Sequence, residues 1–160
     1  MVGVPVEVQG VVTVVGKTVQ IGPLQPPGIV TGAAYADLDN IGQLFSVPVP
    51  ASGIIQSAVY HDLDDEGLQV DLWMFTEQPQ TLGADNAALV LPDTDNLKVL
   101  DVIQFTGFRD GNTGQISSQN GLGIAYVAPA SRLWFQLQAR GALNIAAANL
   151  PQFKLTILAD

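Results

Sequence analysis

Turn chemistry recurs along this chain at short, fairly even intervals, in DNIG, PASG, DDEG, RDGNTG, SSQNG and LPQ. What lies between these turns is rich in Val, Ile, Leu and aromatic residues, whose branched or flat side chains suit a pleated backbone. The expected strands are Ala33 to Ala36, Gln43 to Val49, Ile54 to His61, Leu68 to Thr76, Ala87 to Leu91, Val102 to Phe108, Gly123 to Ala128, Arg132 to Arg140 and Gln152 to Leu158. Many short strands separated by turns predict an all-β chain, an antiparallel β-sandwich in the form of a jelly roll. One short helix is expected in PDTDNLKVL, with Asp93 as N-cap, Asp95 at the positive end of the dipole, and Leu97 and Leu100 spaced i, i+3.

The first residues read differently. VPVEVQGVVTVV followed by GKTVQIG predicts a valine-rich hairpin turning near Gly16 and Lys17, and GPLQPPG after it has three prolines that cannot donate to a ladder. This places a boundary between an arm with its linker, residues 1–28, and a sandwich body, residues 29–160. A lone hairpin has too little core to be stable, so the arm is expected to add to a sheet of its own body or of a neighbour.

Composition narrows the function classes. The chain has 160 residues, enough for one full core, with 48% hydrophobic and only 13% charged residues, which argues against disorder. Its net charge is −9 and its six Lys and Arg are scattered, so no phosphate-binding patch is expected and nucleic acid is not an expected partner. There is no cysteine, which excludes disulfides, thiolate metal sites and thiol nucleophiles. No apolar run approaches the roughly 20 residues of a membrane span, and the N-terminus lacks a signal-peptide pattern, so a soluble chain without a membrane partner is expected.

The densest cluster of chemistry is HDLDDEG, residues 61–67, with four carboxylates beside the only histidine. Counted as a calcium loop from Asp62, it places Asp64, Glu66 and Gly67 acceptably, but its twelfth position is Trp73, where a bidentate acid is required. The same count from Asp37 ends on Pro48. Asp62, Asp64 and Glu66 are therefore weak metal candidates, and a solvated turn with Gly67 at positive φ is the favoured reading. The echo between YADLDNIG and YHDLDDEG is too short for a structural repeat. A triad would have to use His61, yet no G-x-S-x-G elbow is present. No opposed pair of acids is evident, and Gly121-Leu-Gly123 lacks the context of a nucleotide fingerprint. No catalytic site and no cofactor are expected, so the chain does not read as an enzyme.

Two strands speak of partners instead. In RLWFQLQAR, Leu133, Phe135 and Leu137 should face the core, leaving Arg132, Trp134, Gln136, Gln138 and Arg140 outward. In LQVDLWMF, Val70, Leu72 and Met74 oppose Gln69, Asp71, Trp73 and Phe75. Trp73, Phe75, Arg132, Trp134 and Arg140 are thus interface candidates, unless a loop or the arm of the same chain covers them.

In the order AYADLDNIGQLF, IIQSAVYHDLDDEGLQVDLWMF, NAALVLPDTDNLKVLDVIQF and LTILAD, the chain from Ala33 to Asp160 resembles the jelly-roll decoration, or cement, proteins of tailed-bacteriophage heads. The resemblance implies a virion protein made in the host cytoplasm and carried on the outer capsid surface. Its partner would be the major capsid protein, its assembly a homo-oligomer, commonly a trimer, and its role the stabilisation of the shell. The alternative is a jelly-roll module that binds glycans through Trp73 or Trp134, with calcium at Asp62, Asp64 and Glu66.

Overall fold

The computed structural model describes residues 16–160. The first limb of the expected N-terminal hairpin lies outside them. Its second limb is β1 (Lys17–Leu24), and this strand pairs antiparallel with the last strand, β11 (Gln152–Ala159). The first and the last of the described strands thus lie side by side in one sheet.

Two sheets form a sandwich. Between the terminal strands run β2 (Ala34–Tyr35), β3 (Asn40–Pro48), β4 (Ser52–Asp62), β5 (Val70–Phe75), α1 (Asp93–Asn96), β6 (Val99–Phe105), β7 (Arg109–Asp110), β8 (Gln115–Val127), β9 (Arg132–Ala139) and β10 (Leu143–Asn144). The larger sheet has the order β1-β11-β4-β8-β7, the facing one β3-β9-β5-β6, and β2 pairs with β10 apart from both. All pairings are antiparallel. The fold is an all-β antiparallel sandwich.

Period-two alternation builds the core. Leu133, Phe135 and Leu137 from β9 and Val70, Leu72 and Met74 from β5 are fully buried against Ile55, Ala58 and Tyr60 of β4 and Phe153, Leu155 and Ile157 of β11. Phe135 and Phe153 join the sheets directly, with ring centroids 5.7 Å apart, and Phe45 of β3 lies 5.9 Å from Phe135. Truncating such a ring costs about 3–5 kcal/mol, because the lost burial and the residual cavity add.

Several expected elements are redrawn. The SSQNG stretch, expected as a turn, lies in β8, which runs unbroken from Gln115 to Val127. Its glycines serve a bulge: Ile124 opposes Ile55 and Asn120 opposes Ser57, so Gly121, Leu122 and Gly123 face Gln56 alone. Both glycines have positive φ, 67° and 64°, which a residue with a Cβ adopts at a cost. The strand expected at Ala87 to Leu91 is a loop that touches the sheet through one bridge, Asp39 to Ala88. The helix is a single turn whose N-cap is Pro92, not Asp93, without a side-chain capping bond. Leu97 is 93% exposed and Leu100 belongs to β6, so the two leucines do not share a helical face.

The proline-rich linker is docked, not free. Gln43 donates its N–H to Pro27 O at 2.8 Å, and a Cβ on Gly42 would stand 2.8 Å from both Pro26 Cβ and Pro27 O. This contact fixes the crossing from β1 in one sheet to β3 in the other.

Replacement of Gly121 by alanine forces a left-handed backbone on a residue with a Cβ, although no atom stands within 4 Å to clash. Urea unfolding of Gly121→Ala is expected to show a loss of about 1–2 kcal/mol with an unchanged m-value.

Candidate functional site

The outer face of the smaller sheet gathers most of the side chains that the sequence singles out. The chain itself covers much of it. From the end of β5 the segment 76–98 turns back over this face, held first by Thr76 N–H to Lys98 O at 3.0 Å. The buried Asn40 amide donates to Leu82 O and Ala84 O, while Asn40 and Leu38 exchange backbone bonds with Asn86, Ala87 and Leu89. Phe75 and Leu82 are fully buried outside the inter-sheet core. Phe75 is therefore closed to a partner, and the alternation that marked it as outward was right about its face but silent about its cover.

The other interface candidates differ. Trp73 is half-buried and donates its indole N–H to Gln138 Oε1 at 2.9 Å, while Gln138 Nε2 donates to Leu38 O. Trp134 is half-buried, beside Ser46 of β3 and Phe75 of β5 in register. Arg132 is exposed and bonds the Ser46 hydroxyl through Nε and Nη2 at 3.0 and 2.9 Å. Arg140 lies 3.6 Å from Asp71 and 3.9 Å from Asp37, so its charge is matched within the chain. Trp73 and Arg140 thus have partners of their own, whereas Arg132 and the open edge of Trp134 reach the surface.

The acidic turn is structured by its own carboxylates. Asp62 accepts the N–H of Asp64 at 3.1 Å and of Gly67 at 2.7 Å; Asp64 accepts Ala146 N–H at 2.8 Å and the Asn149 amide at 3.2 Å. Asp65 and Gly67 take positive φ, and a Cβ on Gly67 would meet the Gln115 side chain at 2.8 Å. Burial and the neighbouring Asp64 and Asp62 push the Glu66 carboxyl up. Among the described residues, no three of His, Cys, Asp or Glu are grouped to hold a metal ion. His61 sits on β4 between Gln152 and Ile116, and its burial, then Lys154, pushes the imidazole below its ordinary value. The two copies of the sequence echo share a buried tyrosine (Tyr35, Tyr60) and a closing glycine at positive φ (Gly42, Gly67), but the turns differ between them, with Leu38 left-handed in one and Asp65 in the other.

Two carboxylates organise the covering segment: Asp85, which the sequence reading did not single out, and Asp95, which it placed only at a helix end. Asp85 accepts bonds from Val30 N–H at 2.8 Å, the Tyr35 hydroxyl at 2.9 Å and Gly42 N–H, tying together the linker, β2 and β3. Burial, then Asp85, pushes the Tyr35 phenol up, so it stays a donor. Asp95 is buried, 2.7 Å from the Lys98 ammonium, and accepts Gln80 N–H at 2.7 Å. The Lys98 bond holds its carboxyl below its ordinary value of 3.8. Asp85 gave no signal in sequence because its partners lie over 40 residues away.

Two clefts flank these elements, one of about 390 Å³ between β6 and β8 and one of about 710 Å³ lined by Gln43, Leu44 and residues 78–84. Neither contains a histidine or an opposed carboxylate pair. Among the described residues, no helix is long and apolar enough to cross a membrane. Comparison of the chain with family profiles, curated proteins and solved structures gives no match.

Asp85→Ala leaves the Val30 and Gly42 N–H groups without an acceptor, while the Tyr35 hydroxyl keeps Val30 O at 3.1 Å, and is expected to cost about 2–3 kcal/mol by denaturant unfolding. For Asp95 the folded pKa is depressed, so its contribution is present above the ordinary carboxyl value and is lost as pH falls through the folded one. Hydrogen exchange in segment 78–98 is expected to accelerate on acidification below about pH 4, and Asp95→Asn to remove that step.

Proposed function

We propose that this chain is a structural capsid-decoration protein, a jelly-roll subunit that binds the major capsid protein on the outside of a phage head and stabilises the shell. The observation that carries this reading is the strand order. With β1-β11-β4-β8 facing β3-β9-β5-β6, each successive long strand lies in the opposite sheet, except β5 and β6, which are neighbours. That connectivity is the one expected of the double Greek key of a jelly roll. The segments that carry the resemblance fall on it in order, at β2–β3, β4–β5, the covering segment with α1 and β6, and β11.

The surface supports the same role. Leu97, 93% exposed, and Val90, 60% exposed, stand on the covering segment, which Asp95 and Asp85 pin to the body. Apolar side chains held rigidly in the open lose little entropy when a partner buries them. Binding by several subunits on one shell would turn modest individual contacts into firm attachment.

The test is co-sedimentation of the purified chain with undecorated heads of the phage that encodes it. Saturable binding is expected, with Leu97→Asp at least tenfold weaker and its circular dichroism unchanged. Heads that sediment without the protein at every concentration refute the assignment.

A further inference from the structure

The outer face of the larger sheet is set by register. Thr18, Leu158, Ile54 and Ala125 form one row across β1, β11, β4 and β8; Gln20, Thr156, Ser57 and Asn120 form the next. Lys154, Val59 and Ser118 follow, then Gln152, His61 and Ile116. Their opposite neighbours along each strand are the buried core residues, so these side chains point away from the other sheet. On β8 they are exposed throughout, with Val127 at 65%. No strand or helix among the described residues lies over this face.

Charge distinguishes it. The chain carries fifteen Asp and Glu against six Lys and Arg. Among the described residues no acid occupies a position in the four rows; the titratable groups facing outward there are Lys154, His61 and, where the fourth row continues onto β7, Arg109. The described carboxylates lie instead in the turns 37–39 and 62–66, in the covering segment, on β5, β6 and β7, and at Asp160 after β11.

The geometry points to this face as the surface at which two copies of the chain pair. Two molecules of charge −9 repel wherever carboxylate meets carboxylate, and approach through the four rows sets no described carboxylate of those rows against its copy. A two-fold contact must be complementary to itself. Ser, Thr, Asn and Gln satisfy that demand, since each both donates and accepts, and the aliphatic row Leu158, Ile54, Ala125 stacks on its own copy. Four strands about 4.8 Å apart and about eight residues long give roughly 500 Å² per copy. Two such faces bury about 1,000 Å², the lower bound of a specific interface, so a weak pairing is the one to look for.

The measurement is native mass by light scattering across a concentration range, on the full chain without any shell. Twice the chain's 16.9 kDa is expected at tens of micromolar, insensitive to salt. Ala125→Asp and, separately, Val127→Asp at the open strand end place new carboxylates opposite their own copies. Each is expected to weaken pairing at least tenfold, with recovery in about 0.5 M salt, where the Debye length falls to a few ångströms. Leu97→Asp, on the other side of the molecule, should leave the mass unchanged. A wild-type monomer at every concentration overturns the proposal, as does a mass that both β8 variants leave intact. Because no head is present, failure here is separate from failure to bind one.

Discussion

The contact between Phe135 and Phe153 is the joint of this molecule. One ring comes from the smaller sheet and one from the larger, and Phe45 packs within reach of both. Each sheet carries an apolar face that water disfavours, and each can bury that face only against the other. The long crossings follow from it. The chain has to leave one sheet and enter the other at almost every connection, and the docked prolines at residues 26 and 27 fix its path at one of these crossings.

With the core settled, the remaining structure is arranged largely by carboxylates. Asp62 and Asp64 hold the acidic turn against residues 146–149, Asp85 gathers three separate segments, and Asp95 anchors the cover of the smaller sheet. A backbone N–H taken from water needs an acceptor, and a carboxylate supplies a strong one. Part of the strongly negative charge is therefore used internally. What reaches the surface is segregated, and among the described residues no acid occupies the outer rows of the larger sheet. For a proposed shell-binding protein this division is useful, since one side presents fixed apolar knobs and the other a plane whose described rows carry no acid.

Much of the fold is legible in the sequence because alternation is a local property. Leu133, Phe135 and Leu137, and Val70, Leu72 and Met74, are buried as their period predicts. Local signals misled where the outcome depended on distant partners. SSQNG has turn composition, yet pairing with β4 draws it into a strand. Asp93 has the chemistry of an N-cap, yet the single helical turn starts after Pro92 with no capping bond. Phe75 points outward as read, but a segment that begins one residue later folds over it.

The sequence by itself determined the class of the fold and the inward face of its strands, because side-chain direction in a strand is fixed by parity within a few residues. It also limited the chemistry, through the lack of cysteine and the single histidine. Only the tertiary structure decided which outward faces stay open. Asp85 and Asp95 close one of them through bonds to residues far along the chain, and the rows on β1, β11, β4 and β8 acquire their common, acid-free surface only when four distant segments are set side by side. Exposure belongs to the assembled sheet, so no local pattern encodes it.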